Sequence, residues 1–253
     1  MNYEKELMVA KDIARQAGVI MLEYFDGEQQ VEIKSDESLV TIVDKKINSM
    51  VIRELKKHFD DTVIGEEESS GEYGMKRQWF CDPIDGTKAF VFGVPTAMFS
   101  LALVENGRPV MGVAYDPFLD RLYNAVKGEG SYCNGKQLHV SDKNIAQATV
   151  AISGKIAKLR GPHIERLLDK KIRLISLNGA VYKSCLVARG KIEGYIEVGV
   201  GGHDMAAVDL IAEEAGGLVT GLDGQILDYR EPFKGAIISN RVVHDELVDS
   251  LTE

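Results

Sequence analysis

The run Gln78-Trp79-Phe80-Cys81 leads without a break into Asp82-Pro83-Ile84-Asp85-Gly86-Thr87. A buried strand that ends in two aspartates three apart must turn sharply. Pro83 holds one backbone angle and Gly86 permits close approach of the main chain. Such a turn aims two carboxylates and a carbonyl at one point, the oxygen-rich array that a hard cation such as Mg²⁺ requires. Thr87 follows at an expected helix start, where free N–H groups favour an anion such as phosphate. The plain alternative is a β-turn with an aspartate cap, since Asp, Pro and Gly all favour turns.

Other acids stand at comparable places. Thr62-Val63-Ile64-Gly65 reads as a strand that runs into Glu66-Glu67-Glu68, from which one glutamate could project into a site. Taken alone, an acidic run is also a common solvated face. Asp204 opens an expected amphipathic helix that Gly216-Gly217 closes, and by itself it reads equally as a cap. Asp44 follows the β-branched run Val40-Thr41-Ile42-Val43 and precedes a helix carrying Ile47, Val51 and Leu55 on one face. Jointly these positions describe a cation site assembled from several loop ends.

The rest of the chain supplies a scaffold. With 253 residues, 45% of them hydrophobic, and only 6 prolines, it has an ordinary globular balance. Its net charge of −9 argues against nucleic acid or an anionic membrane as partner. It leaves room for a phosphorylated small molecule met by bound cations. Three cysteines without a C-x-x-C pair, a charged N-terminus and no long apolar run lead to the expectation of a reduced, cytoplasmic protein without leader or membrane span. Residues 4–24 show helical periodicity. Residues 98–105 and 109–115 form an expected hairpin across Asn106-Gly107, and 122–126 with 131–133 a second. After residue 145, strands at 148–152, 172–176 and 193–198 alternate with helices at 163–170, 180–188 and 204–215. The expected organisation is an α+β half, 1–145, with most candidate ligands, and an α/β half, 146–253, with Asp204, in one body with a cleft between.

Ile64-Gly65-Glu66-Glu67, the Asp82–Thr87 string, Asp204-Met205-Ala206-Ala207 and Glu214-Ala215-Gly216-Gly217 together resemble the inositol monophosphatase family, in its order and approximate spacing. Less specific similarity reaches about residue 240. The resemblance implies a layered α-β-α-β-α sandwich, usually dimeric, with Mg²⁺ dependence and lithium inhibition. It implies one metal on Glu66, Asp82 and the carbonyl of Ile84, a second on Asp82, Asp85 and Asp204, and a weaker third near Glu66. Thr87, held by Asp44, would orient or deprotonate the attacking water together with Glu66, and the Gly86 and Thr87 N–H groups would bind phosphate.

The substrate end is less specified. Glu197, seven residues before Asp204, matches an acid that binds substrate hydroxyls in the family. Asn178, Gly179 and Ala180 match its polyol loop but depart from the usual Gly-Ser/Thr-Ala form, and His203 replaces a tryptophan. Lys34 matches a mobile-loop lysine of the family. Lys88 and Lys183 echo 3′(2′),5′-bisphosphate nucleotidases. The reading is Mg²⁺-dependent hydrolysis of inositol 1-phosphate or a similar sugar phosphate. The alternatives are the bisphosphate nucleotidase, histidinol-phosphate and fructose-1,6-bisphosphate phosphatase activities. A non-catalytic regulatory role on the same fold is an alternative of another class.

Overall fold

The computed structural model describes residues 3–27, 29–33, 39–152, 162–233 and 235–252. In chain order the elements begin α1 (Glu4–Tyr24), β1 (Val31–Ile33), β2 (Leu39–Thr41), α2 (Ile42–Lys56), β3 (Thr62–Gly65), β4 (Arg77–Asp85) and α3 (Thr87–Val91). The strands β5 (Met98–Glu105), β6 (Arg108–Asp116), β7 (Arg121–Val126), β8 (Ser131–Cys133) and β9 (Lys136–Gln137) follow. Then come β10 (Thr149–Ile152), α4 (Pro162–Asp169), β11 (Arg173–Ser176), α5 (Ala180–Ala188), β12 (Gly194–Val198) and α6 (Gly202–Glu214). The chain closes with β13 (Leu218–Thr220), β14 (Gly235–Ser239) and α7 (His244–Thr252).

Strands β3 to β9 form a seven-stranded sheet in sequence order, and β11-β10-β12-β14-β13 a five-stranded one. The period of two along a strand sorts side chains between the two faces. Phe99, Leu101 and Leu103 of β5 join Trp79 and Cys81 in a core with α1 and α2. Met98, Ala102 and Val104 face the opposite way, into a core shared with α5, α6 and β12. The outer face of the smaller sheet is covered by α4 and α7 through Leu167 and Leu247, with Val243 just before α7 in the same cluster. The layers therefore run α-β-α-β-α, the architecture expected from the resemblance.

Small residues let the central layer close. Ala102, Ala114 and Ala125 of the large sheet meet Ala206 and Ala207 of α6 in one cluster. A Cβ on Gly112 of β6 would lie 2.7 Å from the carbonyl oxygen of Ala207 and 3.0 Å from its Cα. Backbone atoms cannot rotate out of the way, so position 112 has no room for a side chain.

Several sequence expectations change in detail. Strand β2 ends at Thr41, so Ile42 and Val43 are helical and Asp44 sits inside the first turn of α2. Strand β1 pairs antiparallel with β2; residues 34–38 between them, Lys34 included, lie outside the described residues. The large sheet is mixed, because β3 pairs parallel to β4 while the strands after β4 pair antiparallel. Strands β13 and β14 and helix α7 had no sequence reading: their periodic stretches are short, and burial comes from partners distant in sequence. Among the described residues no helix is long and apolar enough to cross a membrane.

Gly112→Val is expected to destabilise the protein by about 2 kcal/mol or more through overpacking, read as a lower urea midpoint. Gly27→Ala is the control, since its nearest neighbour would be 3.6 Å away.

Candidate active site

Parallel pairing of β3 and β4 brings their C-terminal ends out side by side, with Gly65 opposite Cys81. The first residue beyond β3 is Glu66, whose N–H donates to the carbonyl of Cys81 at 3.1 Å. Strand β4 shifts register against β5 between Asp82 and Asp85, and this irregularity points both carboxylates away from the ladder. The N–H of Ile84 donates to Asp82 Oδ1 at 3.0 Å. Gly86 then adopts φ of 81°, and α3 begins at Thr87.

Helix α6 supplies the third carboxylate. Asp204 is not the N-cap, which is Gly201, but the third residue of the helix, from which it accepts the Gly201 N–H at 2.6 Å on one of its oxygens. Each of Asp82, Asp85 and Asp204 offers an oxygen within 4.8 Å of the others. Glu66 is outside this trio but near enough for its charge to raise the pKa of Asp82 and Asp204. Burial is the main cause of the upward shift at all three aspartates. Asp85 is pushed up to about 7, with the charge of Asp204 next in importance. Buried hard-oxygen donors that repel one another are the donor set that a divalent cation such as Mg²⁺ satisfies. The residues present fit that ion.

Helix α2 braces the site from the other side. Thr41 and Asp44 form a capping box: Thr41 N–H and Oγ1 both donate to Asp44 Oδ2, at 2.8 Å and 2.5 Å. The remaining oxygen of Asp44 faces Thr87 Oγ1 at 3.1 Å, while the carbonyl of Ile84 lies 3.0 Å from the same hydroxyl. A hydroxyl has one proton, so these two acceptors compete for it. Burial raises the Asp44 pKa to about 6, against the opposing bonds from Thr41. One turn further along α2, Asn48 Nδ2 donates to the carbonyl of Glu68 at 2.9 Å. A Cβ on Gly65 would fall 2.2 Å from Asn48 Oδ1, so the Glu66 loop reaches α2 only because residue 65 is glycine.

The loop before α5 approaches from the second sheet. Asp85 accepts the Ala180 N–H on Oδ1 and the Val181 N–H on Oδ2, each at 2.8 Å. It thus occupies two of the donors a helix start leaves free, including that of Ala180, a residue expected to line the polyol. Gly179 has φ of 85°, and a Cβ there would be 2.9 Å from Asp85 Oδ2. Asn178 is exposed. Glu197 is buried, with Oε2 3.0 Å from Lys183 Nζ. His203 Nε2 lies 3.5 Å from Asp204 Oδ2. Lys88 Nζ sits 6.0 Å from the Phe92 ring centre.

Sequence reading missed Thr41, Asn48 and the Val181 N–H. The pattern Thr41-x-x-Asp44 was a capping-box signal. Asn48 has only its i+4 spacing from Asp44, and a backbone donor leaves no mark in sequence.

With Asp44 and Asp85 holding protons to about 6 and 7 in the folded chain, against 3.8 ordinarily, the folded state binds more protons than the unfolded one. Metal-free stability is therefore expected to fall as pH rises from about 4 to 7. Urea midpoints in EDTA should be higher near pH 5 than near pH 8, and Mg²⁺ should restore more at the higher pH. Asn48→Ala and Gly65→Ala are expected to weaken Mg²⁺ binding about 10-fold, measured by calorimetry.

The profile described as the inositol monophosphatase family matches residues 2–253. A Thermotoga maritima fructose-1,6-bisphosphatase/inositol-1-monophosphatase is 33% identical over 95% of this chain and 93% of its own. Bovine inositol monophosphatase 1 is 33% identical over 87% and 84%. The Nus factor SuhB of Pasteurella multocida is 35% identical over 86% and 85%. Among solved structures, the Thermotoga maritima IMPase superposes with a TM-score of 0.88 at 28% identity, covering 98% and 96% of the two chains. A Staphylococcal IMPase-I complexed with products gives 0.88 at 25% identity, covering 100% and 96%. An IMPase/NADP phosphatase complexed with Mg²⁺ and phosphate gives 0.85 at 25%, covering 98% and 95%. With the fold, the acid cluster and a match across nearly its whole length in agreement, the chain belongs to the inositol monophosphatase family of phosphatases.

Proposed function

We propose that this chain hydrolyses a small phosphorylated polyol, with inositol 1-phosphate the first candidate, at Mg²⁺ ions held by Glu66, Asp82, the Ile84 carbonyl, Asp85 and Asp204. The observation that carries the reading is the convergence of Asp82, Asp85 and Asp204 within 4.8 Å, beside Thr87 held on Asp44. Divalent ions bound at such a cluster activate water and stabilise the entering and leaving oxygens of an in-line phosphoryl transfer.

The chain's own groups do the positioning. When the Thr87 hydroxyl donates to Asp44, its oxygen can accept a hydrogen bond that orients the attacking water; a proton taken from that water would require Thr87 to pass its own proton to Asp44. Glu66, at the edge of the cluster, is the second acceptor for that water. The N–H groups of Gly86 and Thr87 lie at the start of α3, where helix donors lack internal partners, and there they hold the phosphate. Asn178 and Gly179 border the alcohol half. A second reading, fructose-1,6-bisphosphate, is favoured by the dual name of the Thermotoga relative. A purely non-catalytic role fits less well, because every expected metal ligand is present and the clustered aspartates face one another.

Phosphate release at equal Mg²⁺ from inositol 1-phosphate, fructose 1,6-bisphosphate, adenosine 3′,5′-bisphosphate and histidinol phosphate tests the reading. Inositol 1-phosphate should be cleaved, and removal of Mg²⁺ should stop turnover. Asp85→Asn is expected to reduce the rate at least about 100-fold with circular dichroism unchanged. Full activity in that variant would refute the assignment.

A further inference from the structure

Ser100 of β5 is 1% exposed, and its Oγ is buried without a hydrogen-bond partner among the described residues. Hiding a hydroxyl from water in this way is unfavourable, so such a group calls for a reason. The strand register supplies one. Across the antiparallel pair β4–β5, Ser100 stands directly opposite Asp82, as Ala102 stands opposite Phe80. Side chains paired in this way leave the sheet on the same face, with Cβ atoms about 5 Å apart. Phe80 and Ala102, two places away along each strand, fix which face that is. Both belong to the core shared with α5 and α6, the side from which Asp204 approaches Asp82.

The other neighbours of Ser100 on that face are apolar: Met98 and Ala102 along β5, and Ala114 opposite it on β6. The carboxylate of Asp82 is therefore the polar group paired with the hydroxyl. Asp85 is held on both oxygens by N–H groups, whereas Asp82 accepts the Ile84 N–H on Oδ1 alone. Carboxylates that ligate metals are themselves hydrogen-bonded, and loss of such an outer partner weakens metal binding. Ser131 is the contrast. Its Oγ is also buried and unpartnered, but it lies on β8, four strands from β4 in the same sheet, opposite Ala125.

We infer that Ser100 is a positioning residue of the metal centre, its hydroxyl the outer donor that holds the Asp82 carboxylate for a divalent cation. A serine hydroxyl turns about one torsion among three staggered positions, so the bond forms without movement of the strand. The inference rests on the phosphatase reading above and adds to its metal site a supporting residue outside the ligand set.

The test is Mg²⁺ binding by calorimetry, together with urea midpoints in EDTA, for the parent chain, Ser100→Ala and Ser131→Ala. Ser100→Ala should weaken Mg²⁺ binding at least about 10-fold. Its midpoint in EDTA should be at or above the parent's, because the change removes an unpartnered hydroxyl. A merely structural serine would move the midpoint and leave the affinity alone. Ser131→Ala should bind Mg²⁺ as the parent does. Ser100→Cys keeps the volume but offers only a weak donor; it should follow the alanine variant, and is read in its place if that variant does not fold. A smaller loss of affinity, a midpoint in EDTA below the parent's, or an equal loss in Ser131→Ala overturns the inference alone. A parent chain that binds no Mg²⁺ overturns the metal-dependent reading and this inference with it.

Discussion

Helix α6 comes close to the seven-stranded sheet because small residues line the middle of the surface between them. Gly112 leaves the backbone of β6 bare against Ala207, and Ala102, Ala114, Ala125 and Ala206 line the same seam. Larger residues would hold the layers apart, and Asp204 at the head of α6 would stand clear of Asp82 and Asp85 at the end of β4. The seam therefore sets the width of the acid cluster. Packing of this kind is unforgiving of added volume, and here the same contacts serve both stability and the site.

The cluster gathers charges that an empty folded chain disfavours. Asp44, Asp82, Asp85 and Asp204 are all shifted upward, chiefly by burial. The protein relieves this locally with donors, Thr41 for Asp44, the Ile84 N–H for Asp82, the start of α5 for Asp85 and the Gly201 N–H for Asp204, where His203 also stands 3.5 Å away. Each donor bonds one or two oxygens and leaves lone pairs for a cation. Lys183 is a buried cation near Asp85, and its charge is already committed to Glu197. Fixed backbone donors also hold the carboxylates in one orientation, which preorganises them for a ligand.

Helix α2 and the loop before α5 close on the site from opposite sides. Through Asp44 and Asn48, one turn apart, α2 holds Thr87 and the Glu66 loop in a common frame. Through Asp85, the start of α5 is tied to the end of β4. Gly65 and Gly179 allow these approaches, since a Cβ at either would fall within 3 Å of a neighbouring atom.

The amino-acid sequence by itself determined the local pieces. The first helix followed from the apolar spacing of Leu7, Ala10, Ala14 and Ala17, the hairpin turn from Asn106-Gly107, and the Asp82–Thr87 turn from Pro83 and Gly86. These are short-range effects, decided by residues a few positions apart. The sequence also showed Glu66, Asp82, Asp85 and Asp204 as candidate ligands, because taken together they stand at the ends of apolar runs, although each alone reads as a cap, a turn or a solvated face. Only the tertiary structure decided that Asp44 belongs to a helix whose cap bonds one oxygen and frees the other for Thr87. Only it showed that the Ala180 and Val181 N–H groups clasp Asp85, and that Glu197 is held by Lys183. Those contacts join residues 14 to 96 positions apart, and backbone donors and buried ion pairs are set by how layers pack, which no local pattern of residue types encodes.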